Sequence, residues 1–404
     1  MQARVPSRVH QQQHQPEMLS TMEVRRISDP EDFLAQEKAW NVLLRRSRRN
    51  EGCLTHEWFQ AWWKAFHRGN QLHILLANRN GEAIGIAPLM SCRGNFRGLP
   101  IQKICFMANG QSPSADFIIA DDDEGEVLNS LIGYLLNERG NWDLLELQKI
   151  YACSETLAHL QNVLEARGLP FGFKESLKSP VVSTASDWEQ FLSSKSRKFR
   201  KVLRNKLNRA KRLANISIER ISDEKVVQQR LEDIFMVSAK SWKHRVGTAI
   251  TDSASSRTFY NEVSRTMARR GWVELWLMRD SNRPIAFEYH IRYNGTSYPI
   301  RADYDEDYGE LSPGSVLEYH ILKELFSDPT VRQYNSCGHT YRYLLNWTSE
   351  LREHFTVQVF NRRIFSQFIH GIEYRAIPFL RRVGAKDIVK WVWKKASANA
   401  NSRL

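Results

Sequence analysis

Residues Arg301–Leu325 read "RADYDEDYGELSPGSVLEYHILKEL", which joins the end of a strand to an acidic, aromatic loop and then to a helix. Ser312 suits the N-cap of that helix and Pro313 its first position. Gly314 lets a ligand approach the backbone closely. A helix start with free N–H groups binds anions and suits a pyrophosphate. The same pattern also fits a well-capped helix that has no ligand.

The residues around this stretch predict the sheet that it leaves. Upstream, "WVELWLMRDSNRPIAFEYHIRYNGTSYPIRADYD" indicates three strands with turns at Asp280–Asn282 and Asn294-Gly295. Downstream we expect a helix, then a strand in "VRQYNS" and a last strand in "FTVQVFNRR". The first half shows a similar order, with a Trp-rich helix in "THEWFQAWWKAF" and a hairpin at Asn80-Gly81. We therefore predict a mixed α/β (α+β) fold with a structural duplication.

Length and composition indicate two globular domains, because 404 residues are too many for one hydrophobic core. We predict a disordered N-terminal extension over 1–22, domains over 23–175 and 176–370, and a basic amphipathic tail over 371–404. No apolar run is long enough to cross a bilayer. The five scattered cysteines lack metal-ligand spacing, so we expect reduced thiols, no metal and a cytoplasmic protein.

The positive charge is confined to two segments. The net charge is +13, of which Lys195–Arg212 contributes +10 and residues 375–395 contribute +6, which leaves −3 for the rest. Within the first segment Phe199, Val202, Leu203, Leu207, Ala210 and Leu213 recur at helical spacing. We therefore expect a docked helix whose basic face meets solvent or an anionic substrate, and we expect no nucleic acid except tRNA.

The second basic segment, 375–395, mixes Phe, Val, Ile and Trp with Lys and Arg. Such a helix either packs on the protein or lies against the headgroups of an anionic membrane. The sequence leaves both interpretations open. Peripheral contact with the inner face of the membrane is one expected interaction.

Five motifs in fixed order give the chain a family resemblance. They are "THEWFQAWW", "GEAIGIAPLM", "RPIAFEYHIRYNG", "RADYDEDYGELSPGSVLEYHI" and "YNSCGHTYRYLLNW", spread over Thr55–Trp347. Together they resemble the BioF2-like or CelD-like acetyltransferases of the GNAT superfamily. That family is similar to the Fem-type peptidoglycan aminoacyl transferases, which have two GNAT-like domains around a cleft. Many members are encoded with exopolysaccharide genes.

The resemblance implies two GNAT-like domains and acyl transfer from acetyl-CoA or another acyl-CoA to an amine or hydroxyl. It places the pantetheine in a gap beside the strand that precedes the pyrophosphate-binding helix. Carried over, Ser312, Pro313, Gly314 and Ser315 would hold the pyrophosphate, with Tyr304 beside them, and "AFEYHI" would border the thioester. The usual GNAT cradle is a longer Gly-rich turn, from which this sequence departs.

Direct acyl transfer needs a base for the acceptor and a donor for the leaving group. Glu288 shares a strand face with His290 and is our choice of base. A structural ion pair of Glu288 with Arg292 or Arg301 is the alternative. His339 and Tyr341 are the expected acid or acceptor-positioning groups. The residues expected to bind substrate are His290, Arg301, Asn335, Tyr343 and Trp347.

Two departures from the family pattern concern catalysis. Relatives commonly have Asp at the position of Asn335 and Lys at that of Leu344.

We predict an acyltransferase that acts on a small-molecule or lipid-linked glycan, such as a sugar or cell-envelope precursor. The alternatives are a Fem-type enzyme that uses aminoacyl-tRNA and a non-catalytic accessory protein of polysaccharide biosynthesis.

Overall fold

The computed structural model describes residues 22–138, 142–212, 215–338 and 340–383. Nearly all of the predicted N-terminal extension and most of the predicted tail lie outside these ranges. Within them, no helix combines the length and the hydropathy needed to cross a membrane.

The strands fall into a first and a second half of the chain. Those of the first half are β1 (Met22–Ile27), β2 (Gln71–Leu72), β3 (Ile74–Arg79), β4 (Glu82–Ala87), β5 (Leu89–Phe96), β6 (Leu99–Phe106), β7 (Ile118–Ile119) and β8 (Leu144–Tyr151). Those that follow are β9 (Phe171–Ser183), β10 (Ile216–Ile221), β11 (Val273–Asp280), β12 (Arg283–Tyr293), β13 (Thr296–Tyr304), β14 (Gln333–Asn335) and β15 (Leu351–Phe360).

The helices flank these strands. In the first half they are α1 (Pro30–Ala35), α2 (Glu37–Arg46), α3 (His56–Phe66), α4 (Glu124–Asn137) and α5 (Glu155–Ala166). In the second half they are α6 (Trp188–Ser193), α7 (Arg197–Lys211), α8 (Glu224–Gln229), α9 (Leu231–Ala239), α10 (Trp242–Arg245), α11 (Ala254–Thr266), α12 (Pro313–Ser327), α13 (Ile364–Gly371) and α14 (Ile377–Arg382), with a π-helical turn (Ile372–Ala376) between the last two.

The strand order confirms the predicted mixed fold. One sheet has the order β1-β3-β4-β7, and the other runs β10-β11-β12-β13-β14-β9-β15-β8-β6-β5-β2. The antiparallel series β10-β11-β12-β13 repeats the order of the small sheet, and α12 follows β13 as α4 follows β7. The two halves are therefore topological repeats, although their sequences do not visibly repeat.

The predicted turns have the expected backbone conformation. Asn80-Gly81 and Asn294-Gly295 all have positive φ, from 44° to 82°, as two-residue hairpin turns require. Both dipeptides join antiparallel neighbours, β3 to β4 and β12 to β13. The local sequence thus fixes the register of the two hairpins.

The two halves share a core and a sheet. Trp58 of α3 meets Phe259 of α11 edge to face, with ring centroids 5.2 Å apart. Strand β9 pairs with β14 on one side and β15 on the other, and the predicted domain boundary at 175/176 falls inside it. The domain limits therefore stay a prediction.

The basic segment forms the predicted docked helix, α7. Leu203 and Ala210 are buried, and Phe199 and Leu207 are partly buried against the core beneath α12. Val202, predicted to lie on the apolar stripe, is instead exposed, and Leu213 lies outside the described residues. Four of the six predicted apolar positions thus pack the helix against the protein.

A substitution at Gly172 in β9 tests how tightly the C-terminal helices pack on the sheet. A Cβ at this position would lie 2.0 Å from the Tyr374 ring, whereas one at Gly94 in β5 has 3.9 Å to its nearest neighbour. We expect Gly172→Ala to lower the free energy of unfolding by about 1–3 kcal/mol, because the ring must move. Gly94→Ala is the matched control in thermal melting, and equal melting temperatures for the two variants would contradict this packing.

Candidate active site

The site is built on a gap between β13 and β14. These parallel strands pair only at Thr296↔Gln333 and Ser297↔Tyr334, while β13 continues to Tyr304. Beyond residue 297 this edge of β13 has no strand partner among the described residues. The Lys243 Nζ atom donates a hydrogen bond to the Ala302 carbonyl at 2.7 Å on strand β13. A second chain or an extended ligand could pair with the remaining edge.

The strand that borders this gap is not the one expected. The segment "AFEYHI" belongs to β12, which pairs with β11 on one side and β13 on the other. The strand that directly precedes α12 and leaves its neighbour is β13. The expectation for "AFEYHI" was therefore wrong by one strand, because the sequence does not show which strand of the meander faces β14.

The start of α12 has the predicted caps with one difference. Ser312 is the N-cap and Pro313 the first helical residue, but the Ser312 side chain makes no capping bond. Its backbone is left-handed, with φ 53° and ψ 51°, and its carbonyl accepts from the Ser315 and Val316 N–H groups. A Cβ on Gly314 would lie 3.7 Å from the Tyr304 ring, so the predicted cofactor residues do lie together.

The basic helix α7 lies against this turn. Lys206 Nζ donates to Ser315 Oγ at 2.9 Å, and the Arg209 guanidinium donates to the Glu310 carbonyl. A groove between α6, α7 and α12 is lined in part by Arg200, Arg204 and Lys211. The positive face of α7 is thus partly directed at the start of α12.

Glu288 and His290 form a buried hydrogen-bonded chain with Ser297. His290 Nε2 lies 3.0 Å from Glu288 Oε2, and His290 Nδ1 lies 2.8 Å from Ser297 Oγ. If Nε2–H donates to the carboxylate, Nδ1 accepts from the Ser297 hydroxyl. Glu288 pairs across strands with Trp276, which belongs to the core beneath α12, so its side chain lies on the face covered by that helix.

The alternative of a structural ion pair for Glu288 is excluded by the partners of both arginines. Arg292 binds Glu274 at 2.7 Å and Asp328 at 2.6 Å. Arg301 binds Asp303 at 2.8 Å and the Thr248 carbonyl at 3.0 Å. Arg301 is thereby engaged within the protein, and its predicted role in substrate binding stays a prediction.

A second buried carboxyl, Glu318 of α12, was not predicted. Desolvation, and then the nearby charge of Glu288, raise the pKa of Glu318 to about 8, against weaker opposing effects of Trp347 and Lys206. At neutral pH Glu318 is therefore mostly protonated. Its position between Val316 and Ile321 on the buried face of the helix was a usable signal, because an unpaired carboxylate is seldom placed among core residues.

Tyrosines lie next to this carboxyl pair. Burial and the charges of Glu288 and Glu318 raise the pKa of Tyr334, and burial followed by the charges of Glu318 and Glu288 raises that of Tyr343. Tyr341 stacks on Tyr343 with ring centroids 5.8 Å apart, and both side chains are about half exposed. His339 lies outside the described residues.

The remaining predicted substrate residues are buried. Asn335 Nδ2 donates to the Tyr151 hydroxyl at 3.0 Å, and Asn335 Oδ1 accepts from the Cys337 N–H at 3.1 Å. Trp347 is in the core, where its side chain partly offsets the rise in the pKa of Glu318. Leu344, where relatives have Lys, is also buried. Asn335 therefore links the two halves, and Trp347 supports Glu318.

The turn before α4 is the equivalent position in the first half, and it is also acidic. Strand β7 is two residues long, and Asp121, Asp122 and Asp123 stand between it and α4. Arg48 contacts Asp121, Asp122 and Glu155 as counter-charge. Arg79 likewise binds Asp123 at 2.7 Å. Arg48 and Arg79 are thus engaged by carboxylates, whereas Lys206 and Arg209 at the start of α12 contact a hydroxyl and a carbonyl.

Comparison with known proteins agrees with the architecture. The chain matches the acetyltransferase (GNAT) domain family over residues 197–343. No curated protein sequence matches it. The matched range contains α7, the gap, α12 and both buried carboxyls, so for this part of the chain the match agrees with the predicted resemblance to GNAT domains.

Solved structures share the fold at low sequence identity. FemX is 13% identical with a TM-score of 0.57, covering 86% of this chain and 100% of FemX. A conserved protein of unknown function from Bacteroides thetaiotaomicron is 12% identical with a TM-score of 0.54, covering 84% and 100%. L-PGS from Bacillus licheniformis is 11% identical with a TM-score of 0.52, covering 85% and 96%. These likenesses concern the fold alone.

The raised pKa of Glu318 predicts a pH-dependent stability. Between its ordinary value of 4.5 and about 8 the folded state holds a proton that the unfolded state releases, so stability falls as pH rises. Gln mimics the protonated carboxyl. Glu318→Gln should therefore raise the melting temperature near pH 9, with a much smaller effect near about pH 5.

The control is Glu324→Gln, at an exposed position on the same helix. Its melting-temperature difference from the unmodified protein should show no comparable growth with pH. A Glu318→Gln difference that stays constant across the range would contradict the buried-carboxyl interpretation.

Proposed function

Because residues 197–343 are a GNAT acetyltransferase domain, we propose that the protein transfers an acyl group from acetyl-CoA or another acyl-CoA to a sugar or cell-envelope precursor. The observation that carries this proposal is the gap between β13 and β14, which opens at the start of α12 beside Glu288. In this proposal the start of α12 and the open edge of β13 bind the donor, Tyr341 and Tyr343 bind the acceptor, and Glu288 is the base.

The donor lies with its pyrophosphate at Ser312–Ser315 and its pantetheine along the open edge of β13. Lys206 already reaches Ser315 and supplies a positive charge where the pyrophosphate would lie. The basic groove beside α7 suits the phosphorylated nucleotide end of the donor. At the start of α4, by contrast, Arg48 and Arg79 are engaged by carboxylates.

The reaction is a direct attack on the thioester. The acceptor's oxygen or nitrogen bonds to the carbonyl carbon, its proton passes to the Glu288 carboxylate, and the C–S bond breaks. The thiolate then takes a proton from an acid, for which Tyr341 is the candidate among the described residues and His339 the candidate outside them. Glu318 is mostly protonated at neutral pH, and His290 orients Glu288.

The acceptor is a glycan in this proposal. The stacked, half-exposed rings of Tyr341 and Tyr343 offer an apolar face with a polar tip next to the carboxyl pair. Such a surface suits a sugar ring, whose faces are apolar and whose edges hydrogen-bond. The family's association with exopolysaccharide genes supports the same acceptor.

A Fem-type transfer from aminoacyl-tRNA is the second candidate. The observation in its favour is the extent of α7, whose basic residues continue along the whole helix beyond those that contact α12. A tRNA phosphate backbone would use more of this face than one pyrophosphate does. If the protein is a non-catalytic accessory protein, we expect it to bind neither acetyl-CoA nor aminoacyl-tRNA.

Calorimetric titration with acetyl-CoA tests the donor site. We expect one molecule bound per chain, because Lys206 at the start of α12 contacts a neutral hydroxyl, whereas Arg48 and Arg79 at the start of α4 contact carboxylates. Lys206→Ala should weaken binding about tenfold through loss of a charged hydrogen bond, while Lys201→Ala, at an exposed position of the same helix, should not. Absence of acetyl-CoA binding together with salt-dependent binding of aminoacyl-tRNA would favour the Fem-type reading.

Glu288→Gln tests the base. We expect kcat to fall by about 10²- to 10⁴-fold, since proton transfer is lost, while the dissociation constant of acetyl-CoA stays unchanged. The isosteric amide keeps the contact with His290. Turnover equal to that of the unmodified protein would show that another group takes the proton.

A further inference from the structure

The C-terminal helices expose an unusual apolar surface. Ile364 is 89% exposed, Phe368 58%, Phe379 62% and Val383 58%. We call these four residues the C-terminal patch. Ile364 and Phe368 are four residues apart on α13, and Phe379 and Val383 are four apart at α14, so each pair lies on one helix face. Exposed aromatic and branched side chains in such a stripe mark an interaction surface.

The opposite side of these helices is firmly docked. Glu373 of the π-helical turn is buried and binds Arg97 at 2.6 and 2.7 Å and Lys174 at 2.6 Å. Ser366 and Ile369 are buried on the same side. The helices therefore cannot turn the C-terminal patch inward without breaking these contacts.

The sequence that carries the patch, and the sequence that follows it, are rich in positive charge. Residues 362–404 contain ten Lys or Arg and two acidic residues, a net +8 of the chain's +13. One of the two acids is Glu373, which Arg97 and Lys174 already neutralise. Arg375 and Arg382 are exposed on the helices that carry the patch. The surface thus combines apolar side chains with an excess of positive charge.

We propose that the C-terminal patch binds the surface of an anionic lipid bilayer. Aromatic and aliphatic side chains would enter the headgroup boundary while the arginines contact lipid phosphates. A protein partner would not need this concentration of one charge, which extends by sequence through Lys386, Lys390, Lys394 and Lys395. This inference is independent of acyl transfer, although it would bring the protein to a lipid-linked acceptor.

Vesicle flotation with the full chain tests the proposal. We expect binding to vesicles of phosphatidylcholine with phosphatidylglycerol, little binding to phosphatidylcholine alone, and release at high salt. The triple variant Ile364→Ser, Phe368→Ser, Phe379→Ser should bind at least about tenfold more weakly. The matched control replaces Leu34, Val42 and Met236, exposed elsewhere, by Ser and should bind normally.

Three results would overturn the proposal. The first is absence of binding to the anionic vesicles. The second is unchanged binding by the patch variant, including the case in which deletion of residues 384–404 alone abolishes it. The third is self-association of the unmodified chain that the patch variant removes, without vesicle binding, which would make the surface a protein interface. Unchanged thermal melting of the patch variant excludes misfolding as the cause of lost binding.

Discussion

Strands β13 and β14 remain paired for only two residue pairs, and the rest of the site depends on this early parting. A strand edge in the middle of a sheet leaves backbone groups that need partners. Here Lys243 donates a hydrogen bond to one carbonyl of β13, and α12 follows β13 after the loop of residues 305–312. The fold therefore places an open edge, a helix start and the basic helix α7 next to one another. The first half repeats the strand order but puts aspartates at the equivalent turn.

The same part of the fold brings two buried carboxyl groups close together. Glu288 sits on the strand next to β13 and Glu318 on the helix that covers it, and both are buried. Two buried carboxylates cannot both be ionised without a large cost. The protein resolves this conflict by keeping Glu318 protonated and holding Glu288 through His290 and Ser297. A charged base backed by a neutral acid suits proton abstraction from an acceptor.

Much of this arrangement could be predicted from local sequence. The Asn294-Gly295 turn, the strands around it and the start of α12 at Pro313 follow from turn and cap preferences, and the structure has them. The apolar stripe of α7 predicted docking correctly. These features depend on residues that are near one another in the chain.

What could not be predicted depends on residues that are far apart. The contact of Lys206 with Ser315 spans 109 residues. Arg292 binds Asp328 and Arg301 binds the Thr248 carbonyl, and both partners lie outside the strands that carry the arginines. The wrong assignment of the strand beside the gap has the same origin, because strand order is a tertiary property. Glu318 is different from these long-range contacts, because its place among the apolar residues on one face of α12 can be recognised from the local sequence.

The central claim is that Glu318, buried next to Glu288, is mostly protonated at neutral pH. Carbon-13 NMR of the protein labelled at glutamate side-chain carboxyls measures this directly. We predict one carboxyl resonance that titrates near pH 8 and disappears in Glu318→Gln. Titration of every glutamate near the ordinary value of about 4.3, or persistence of the high-pH resonance in Glu318→Gln, would contradict the account.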